Sequence, residues 1–162
     1  GAEDAKRSNL FSKLSRLITA ESKKCGGDTS SPALATAIET AKKENMPKDT
    51  IERAVKKGLD KDAADMETVI YEAYGPGGTA IVIEGLTDNK NRTAAEVRHL
   101  LSKHNLELAA PGAASWAFKK EGGTMVPTST IEIGDEDGEK LGSLIDALEE
   151  LEDVQEIFTN AV

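Results

Sequence analysis

The stretch Val69–Leu86, VIYEAYGPGGTAIVIEGL, decides how the second part of this chain folds. Its two halves, Val69 to Tyr74 and Thr79 to Leu86, are rich in β-branched and aromatic residues, a composition typical of strands. The tetrapeptide Gly75-Pro76-Gly77-Gly78 lies between them, and a glycine-rich tip of this kind joins neighbouring antiparallel strands. The stretch therefore predicts a β-hairpin.

Helices and strands alternate after the hairpin. The loop 87–91 precedes a helix from Arg92 to about His104, whose candidates for burial are Ala95, Val97, Leu100 and Leu101. A short strand is predicted at Ser115 to Phe118, and the segment Thr124 to Ile133 contains another. Apolar residues at helical spacing then mark an amphipathic helix, namely Leu141, Leu144, Ile145, Leu148 and Leu151. Val154 to Thr159 is a final strand.

The order ββαβ followed by βαβ predicts an α+β sandwich, ferredoxin-like in character, over residues 69–162. The helices are expected on one face of a mainly antiparallel sheet, with the halves 69–120 and 121–162 forming one domain. Residues 61–68 are polar and acidic, and this composition predicts a linker in front of the sandwich.

Three helices are predicted upstream of the linker, in residues 1–60. Leu10, Phe11, Leu14, Leu17 and Ile18 recur at helical spacing within 3–24, and Gly26-Gly27-Asp28 ends that helix. Ser31 can cap a second helix with Pro32 in its first turn, and Leu34, Ala37, Ile38 and Ala41 form its apolar stripe. Asn45-Met46-Pro47 separates it from a third helix, which Gly58 ends. This part is expected to be a compact helical domain.

Charge is distributed unevenly along the chain. The formal net charge of the 162 residues is −9, which by itself argues against a nucleic-acid binder. Residues 1–60 nevertheless carry 12 lysine and arginine residues against 9 acidic ones, whereas residues 121–162 carry 1 against 12. A basic first part on an acidic chain indicates an anionic partner for that part. Aromatic residues are only 4% of the chain, so platforms for stacking bases are scarce.

The first candidate contact is a basic arc on the first helix. At about 100° per residue, Lys6, Lys13, Arg16, Lys23 and Lys24 fall opposite the apolar stripe. Arg7 is a further candidate for nucleic-acid contact on this helix. The cations of the next two helices could extend the arc: Lys42, Lys43, Lys48, Arg53, Lys56 and Lys57. Contacts of this kind with phosphates are sequence-independent and weaken with salt. The alternative is an ordinary solvated face, because Glu21, Glu39, Glu44 and Glu52 are interspersed.

Two further segments are candidates for nucleic-acid contact. Gly75, Gly77 and Gly78 would let a backbone approach closely, since glycine has no side chain; the alternative is simply a tight turn. Asn89, Asn91 and Arg92 stand at a helix start, where free N–H groups favour anions; the alternative there is capping by Asn91.

Other chemistry finds little support in the sequence. His99 and His104 are five residues apart and share no helix face, so no metal site is predicted, and no cofactor either. Cys25 has no partner with which to form an internal disulfide. The acidic residues show no spacing that singles out an acid/base pair, and no set of converging polar groups suggests an enzyme or a small-ligand sensor.

Several long motifs resemble the YebC/PmpR family, which includes a mitochondrial translational activator of cytochrome c oxidase. They are Asp4-Ala5-Lys6-Arg7 with Phe11-Ser12-Lys13-Leu14, Gly26-Gly27-Asp28, the segments 45–54, 71–78 and 86–99, Met125-Val126-Pro127, and the helix ending before Asp153-Val154-Gln155. Together they cover nearly the whole chain. Two features differ from the family pattern: the sequence starts at Gly1, already inside the pattern that in the family follows a short basic segment, and Lys119–Thr124 directly bridges the place where the family has a further central α/β domain.

The resemblance implies a non-enzymatic protein of two or three domains that acts on gene expression. It implies contact with rRNA or tRNA on the ribosome, as a translation factor that helps difficult stretches such as consecutive prolines, or, alternatively, contact with DNA as a transcriptional regulator. Ribosomal proteins are further candidate partners, no membrane contact is expected, and the chain is expected to be a monomer. The expected location is the cytoplasm of a bacterium, with the mitochondrial matrix as the alternative.

Overall fold

The computed structural model describes the backbone of residues 2–122 and 124–162 and the side chains from Ala5 onward, so that Gly123 lies outside the described residues. The chain divides into two compact units, the helical unit Gly1–Met66 and the sheet unit Glu67–Val162. The helical unit contains α1 (Ala2–Cys25), α2 (Pro32–Lys43) and α3 (Lys48–Lys57). The sheet unit contains β1 (Glu67–Tyr74), β2 (Ala80–Thr87), α4 (Lys90–Lys103), β3 (Leu108–Ala109), β4 (Phe118–Glu121), β5 (Thr124–Pro127), α5 (Asp135–Glu149) and β6 (Val154–Thr159). Of the helices described, none has the length and apolar character needed to cross a membrane.

The first two helices end at residues that tolerate a left-handed backbone. Gly27 (φ 78°) follows α1, and its N–H donates to the Ser22 carbonyl at 2.9 Å. Asn45 (φ 66°) follows α2, and the Met46 N–H then donates to the Ala41 carbonyl at 3.0 Å. Bonds of this type satisfy the last helical carbonyls and turn the chain back. The three helices consequently enclose one core, formed by Leu14, Ile18, Leu34, Ala37, Ala41, Met46, Ile51 and Ala54.

Helix α1 buries a wider arc than its apolar stripe indicates. Both α2 and α3 pack against it, so two faces of α1 are covered. Lys13 is only 7% exposed and Ser22 is fully buried. The prediction was therefore wrong in placing Lys13 on the exposed basic arc, because a single amphipathic stripe assumes a single covered face.

Four strands form the main sheet in the order β3-β1-β2-β6, and each neighbouring pair is antiparallel. The predicted hairpin is confirmed, with Tyr71 opposite Ile83 and Ile83 opposite Ile157. Helices α4 and α5 cover the face that carries these residues, and Val97, Leu101, Leu144 and Leu148 complete its core. The α+β class is thus confirmed.

The hairpin β4–β5 does not join the main sheet, contrary to the prediction of one ferredoxin-like sheet. It pairs only with itself, with Phe118 opposite Pro127. A strand was wrongly predicted from Ser115, because Ser115–Ala117 forms a 3-10 turn and the strand begins at Phe118. The two-residue strand β3, which the pattern did not predict, completes the main sheet instead. A second core lies on the face opposite α4 and α5, formed by Ala80, Val82, Ala114, Ala117 and Phe118.

The ends of α4 and α5 also differ from the prediction. Helix α4 begins at Lys90, and its cap is Asn89 rather than Asn91: the Asn89 side-chain oxygen accepts the Arg92 N–H at 3.1 Å. Ala95 is exposed, because the helix face that meets the sheet runs through Thr93, Val97 and Leu101. Leu151 lies beyond the end of α5 and still packs against the core.

Candidate nucleic-acid interface

The cations of α1 do not form one open surface. Lys6 and Arg7 are exposed, Arg16 is half-buried and Lys13 is buried. The Lys23 ammonium lies 2.9 Å from the Asp65 carboxylate and also donates to the Ala63 carbonyl. Lys23 therefore ties the segment after α3 to α1. Lys24 lies 3.4 Å from Glu21 on the same helix.

The cations of α2 and α3 are all exposed, and three of them meet at one groove. Lys42, Lys48 and Lys56, here called the lysine rim, line a groove of about 680 Å³ between the two helices. Its apolar floor is formed by Ala35, Ile38, Ile51 and Val55. Glu39 and Glu52 also line the groove; they lie 3.9 Å from Lys43 and 4.0 Å from Lys48. Because exposed pairs at such distances are weak and easily exchanged, the lysines remain available to an anionic partner.

Helix ends explain why these lysines stand where they do. Lys42 and Lys43 occupy the last turn of α2, and Lys56 and Lys57 occupy the last turn of α3. Cations in the last turn interact favourably with the negative end of the helix dipole. Arg53, also exposed, contacts the Thr50 hydroxyl within its own helix at 3.3 Å.

The glycine turn between β1 and β2 is packed against the sheet unit. Gly77 has φ 73°, and a Cβ there would stand 2.7 Å from Ile133 and 3.2 Å from the Asp137 carboxylate. A Cβ on Gly75 would stand 2.6 Å from Ile81, whereas Gly78 (φ 79°) has more room. The turn needs glycine for its own conformation and packing, and the nearby Asp137 carboxylate disfavours a phosphate at Gly77.

The start of α4 is an internal polar network. The Arg92 guanidinium lies 3.0 Å from the buried Asp153 carboxylate and 2.8 Å from Asp88, and the hydrogen bonds to Asp153 and then Asp88 raise the pKa of Arg92. The Thr93 hydroxyl contacts Asp153 at 2.7 Å and Thr87 at 2.8 Å. This network joins α4 to the ends of β2 and β6, so that Arg92 has a structural partner.

The sequence candidates in the sheet unit do not converge. The glycine turn precedes β2, and Asn89 to Arg92 follow it, so the two groups stand at opposite ends of an eight-residue strand. At about 3.3 Å per residue they lie roughly 25 Å apart. Of the predicted residues, the structure brings Lys42, Lys48 and Lys56 together at one groove.

Sequence reasoning missed a clamp on the outer face of the sheet. The Glu72 carboxylate on β1 is 7% exposed and accepts the backbone N–H groups of Gly112, Ala114 and Ser115 at 2.7, 2.9 and 2.6 Å. Burial raises the pKa of Glu72, but these N–H donors outweigh it and leave the pKa below its usual value. The only signal in the sequence was a glutamate amid strand residues.

Two further carboxylates on that face stand opposite each other. Glu84 on β2 is the cross-strand partner of Glu156 on β6. Desolvation raises the pKa of both groups, the charge of Glu84 raises that of Glu156 further, and Lys120 partly offsets the rise at Glu84. Two like charges directly opposite each other destabilise a strand pair.

Comparison with known proteins identifies both units. Residues 1–61 match the family model described as the TACO1/YebC protein N-terminal domain. Residues 66–123 and 121–161 match the model described as the TACO1/YebC second and third domain. These two segments overlap at residues 121–123, where β4 ends at Glu121.

Curated relatives are longer than this chain. A "Probable transcriptional regulatory protein" of Petrotoga mobilis is 51% identical over 138 residues, which cover 84% of this chain and 55% of that protein. The chain thus spans about half the length of this relative. A protein of the same name from Desulfosudis oleivorans is 36% identical over 223 positions, covering 99% of this chain and 91% of its own length. Those 223 positions exceed the 162 residues of this chain by 61, so the relative has additional residues within the matched region.

A solved structure has the same fold. The crystal structure of the conserved hypothetical protein Aq1575 from Aquifex aeolicus superimposes with a TM-score of 0.82 at 34% identity, covering 98% of this chain and 91% of that one.

Proposed function

Because the chain belongs to the TACO1/YebC family, we propose that it is a nucleic-acid-binding regulator of gene expression that contacts phosphates through the lysine rim of its helical unit. The observation that carries the proposal is the convergence of Lys42, Lys48 and Lys56 on one open groove. Relatives named as transcriptional regulatory proteins support a nucleic-acid partner.

The charge of the two units supports assigning the contact to the helical unit. Residues 1–66 carry 13 lysine and arginine residues against 11 acidic ones, a net of +2, whereas residues 67–162 carry 7 against 18, a net of −11. Phosphates are attracted by the first unit and repelled by the second.

The groove supports a contact that does not depend on base sequence. Its charged rim consists of lysines, whose ammonium groups attract phosphates whatever the base, and its lining contains no asparagine or glutamine that would pair with adenine. Backbone contact suits the DNA of a transcriptional regulator, which the names of the relatives favour. It equally suits a folded RNA on the ribosome, the second candidate, because A-form RNA is recognised mainly through its shape and backbone.

The test is a charge reversal of the lysine rim, Lys42→Glu with Lys48→Glu and Lys56→Glu. The matched control makes the same change in net charge on the sheet unit, with Lys90→Glu, Lys103→Glu and Lys140→Glu, all exposed. Binding to a DNA duplex and co-sedimentation with ribosomes are measured for both proteins over a series of salt concentrations. Circular dichroism verifies that the helices are retained.

We expect the rim variant to bind more weakly and to depend less on salt. The slope of the logarithm of the binding constant against the logarithm of the salt concentration should become shallower by about 3 if three duplex phosphates are contacted, and by about 2 for single strands. The control should retain the slope of the unmodified chain. Equal behaviour of the two variants would exclude the lysine rim as the contact. A promoter footprint that survives competitor DNA would favour the transcriptional regulator. Salt-sensitive co-sedimentation with ribosomes, without such a footprint, would favour the translation factor.

A further inference from the structure

The sheet unit exposes a pair of aromatic side chains that the nucleic-acid contact does not use. Trp116 is 59% exposed and Tyr74 is 39% exposed. The Trp116 indole N–H donates to the Tyr74 hydroxyl at 2.8 Å, and that hydroxyl donates to the Ala113 carbonyl. Since each polar tip already has a partner, the two side chains offer mainly ring surface to a ligand. The other four aromatic residues of the chain are partly or fully buried.

The aromatic pair is held rigidly before any partner arrives. Trp116 is the middle residue of the 3-10 turn, and both the preceding Ala114 and the last turn residue, Ala117, are fully buried. The Glu72 carboxylate binds the N–H groups of Ala114 and Ser115, so the turn is pinned to β1, the strand that ends at Tyr74. Rigid tryptophan and tyrosine side chains lose little conformational freedom on binding, and they dominate the energetics of protein interfaces.

The sheet unit that carries the pair is acidic. Tyr74 leads directly into the glycine turn, where the Asp137 carboxylate stands 3.2 Å from the position of a Cβ on Gly77. Asp137 belongs to the first turn of α5, together with Asp135 and Glu136. The whole unit carries a net charge of −11.

We propose that the Trp116–Tyr74 pair is the docking surface for an arginine-rich segment of a basic protein partner. A guanidinium group stacks on aromatic rings and gains cation–π attraction. The acidic unit attracts such a segment from a distance and speeds its association. The proposal goes beyond nucleic-acid binding and does not depend on it, because the surface lies in the other unit.

Charge also argues against two other occupants. A nucleic acid could stack a base on Trp116, and Lys119 and Lys120 follow closely in sequence, but Lys119 lies 3.5 Å from Glu121 and the unit as a whole repels phosphates. A second copy of this chain would bring the same net charge of −11 against the first. An arginine-rich peptide is the partner that can both stack on the two aromatic rings and complement the negative charge of the sheet unit.

The test uses the intrinsic fluorescence of the whole chain, since Trp116 is its one tryptophan. Three probes are titrated: a short peptide of alternating arginine and glycine, the same peptide with lysine for arginine, and a single-stranded oligothymidylate. We expect a saturable change of Trp116 emission with the arginine peptide, weaker binding of the lysine peptide, and no saturable change with the oligonucleotide.

Variants are compared by the anisotropy of a labelled arginine peptide. Trp116→Leu keeps an apolar side chain without a ring, and it should weaken binding about 5-fold, the size of a cation–π contact. Trp116→Phe keeps an aromatic ring and should lose less affinity for the peptide than Trp116→Leu. Val162→Ala removes part of another exposed apolar side chain of this unit and should bind as the unmodified chain does.

Each contrary outcome overturns the proposal. Equal affinity of the unmodified chain and Trp116→Leu would mean that the peptide is held by charge alone. A saturable change of Trp116 emission with the oligonucleotide would make the pair a base-stacking platform, whereas binding without such a change belongs to the lysine rim. Trp116 emission that depends on protein concentration, together with a dimer in sedimentation, would mean that the aromatic pair is an interface between two copies of the chain.

Discussion

Replacing the buried carboxylate of Glu72 by an amide, Glu72→Gln, tests the clamp that holds the turn around Trp116. The carboxylate receives two N–H groups at one oxygen and the Gly112 N–H at the other. An amide keeps one acceptor oxygen, so it can retain the bonds to Ala114 and Ser115, but it then presents an NH2 group to the Gly112 N–H. One buried donor without a partner costs about 1–3 kcal/mol, and changing two charged acceptor bonds into neutral ones costs about 1 kcal/mol more. We expect a loss of about 3 kcal/mol near pH 7.

The pH dependence of this loss is the sharper measurement. The pKa of Glu72 is lowered in the folded protein, so the carboxylate contributes stability above its ordinary value of 4.5, and this contribution is lost as the pH falls through the folded pKa. In acid the unfolding free energy of the unmodified chain therefore falls towards that of Glu72→Gln. The difference in unfolding free energy should shrink towards zero below the folded pKa.

Guanidinium denaturation followed by Trp116 emission measures this difference, because the probe sits beside the clamp. Glu96→Gln, an exposed glutamate on α4, is the matched control and should change stability by less than about 0.5 kcal/mol. A loss below about 1 kcal/mol for Glu72→Gln, or a loss that does not vary with pH, would refute the view that the charge organises the turn.

Three further substitutions test the packing of the sheet unit. Thr93→Val keeps the shape of a buried side chain but removes its bonds to Asp153 and Thr87, so chemical denaturation should show a loss of about 2 kcal/mol, against almost none for the exposed Thr130→Val. In Gly77→Ala the new Cβ would lie 2.7 Å from Ile133 at a residue with φ 73°, so this substitution should lower the melting temperature. In Gly142→Ala, on α5, the new Cβ meets nothing within 4 Å, so this substitution should raise the stability by about 1 kcal/mol. A Gly77→Ala chain more stable than the Gly142→Ala chain would contradict the packing of the turn. Glu156→Gln should stabilise the chain slightly at neutral pH, because desolvation and the charge of Glu84 raise the pKa of Glu156 and its ionised form is penalised when folded. The exposed position of Glu156 keeps this gain small, and the gain should vanish in stability curves recorded below the ordinary value of 4.5.

Local patterns predicted most elements but not their partners. The hairpin β1–β2, the three helices of the first unit and strand β6 were all visible as periodicity between strong turn residues. The prediction of a strand from Ser115 was wrong because the Glu72 carboxylate, more than forty residues away in sequence, accepts the N–H groups of Ala114 and Ser115. These hydrogen bonds hold the segment in a turn. A pattern of apolar residues carries no information about such a distant acceptor.

For the candidate site, too, the sequence predicted the residues but not which of them lie together. Lysines at the ends of α2 and α3 could be counted from the sequence, but that Lys42, Lys48 and Lys56 line one groove depends on how the two helices pack. The assignment of Lys13 to an open surface failed because α1 is covered on two sides.

The sequence by itself determined the α+β class, the order of the elements other than β3, and the change from basic to acidic charge, because each of these is written in local composition and spacing. Its long motifs, compared with those of known proteins, also pointed to the family. Only the tertiary structure decided that β4 and β5 stand apart from the main sheet, that Arg92 is bound to Asp153, and that Trp116 and Tyr74 meet at the surface. Each of those outcomes depends on contacts between residues far apart in the chain, where the geometry of packing, and not the local pattern, decides which groups meet.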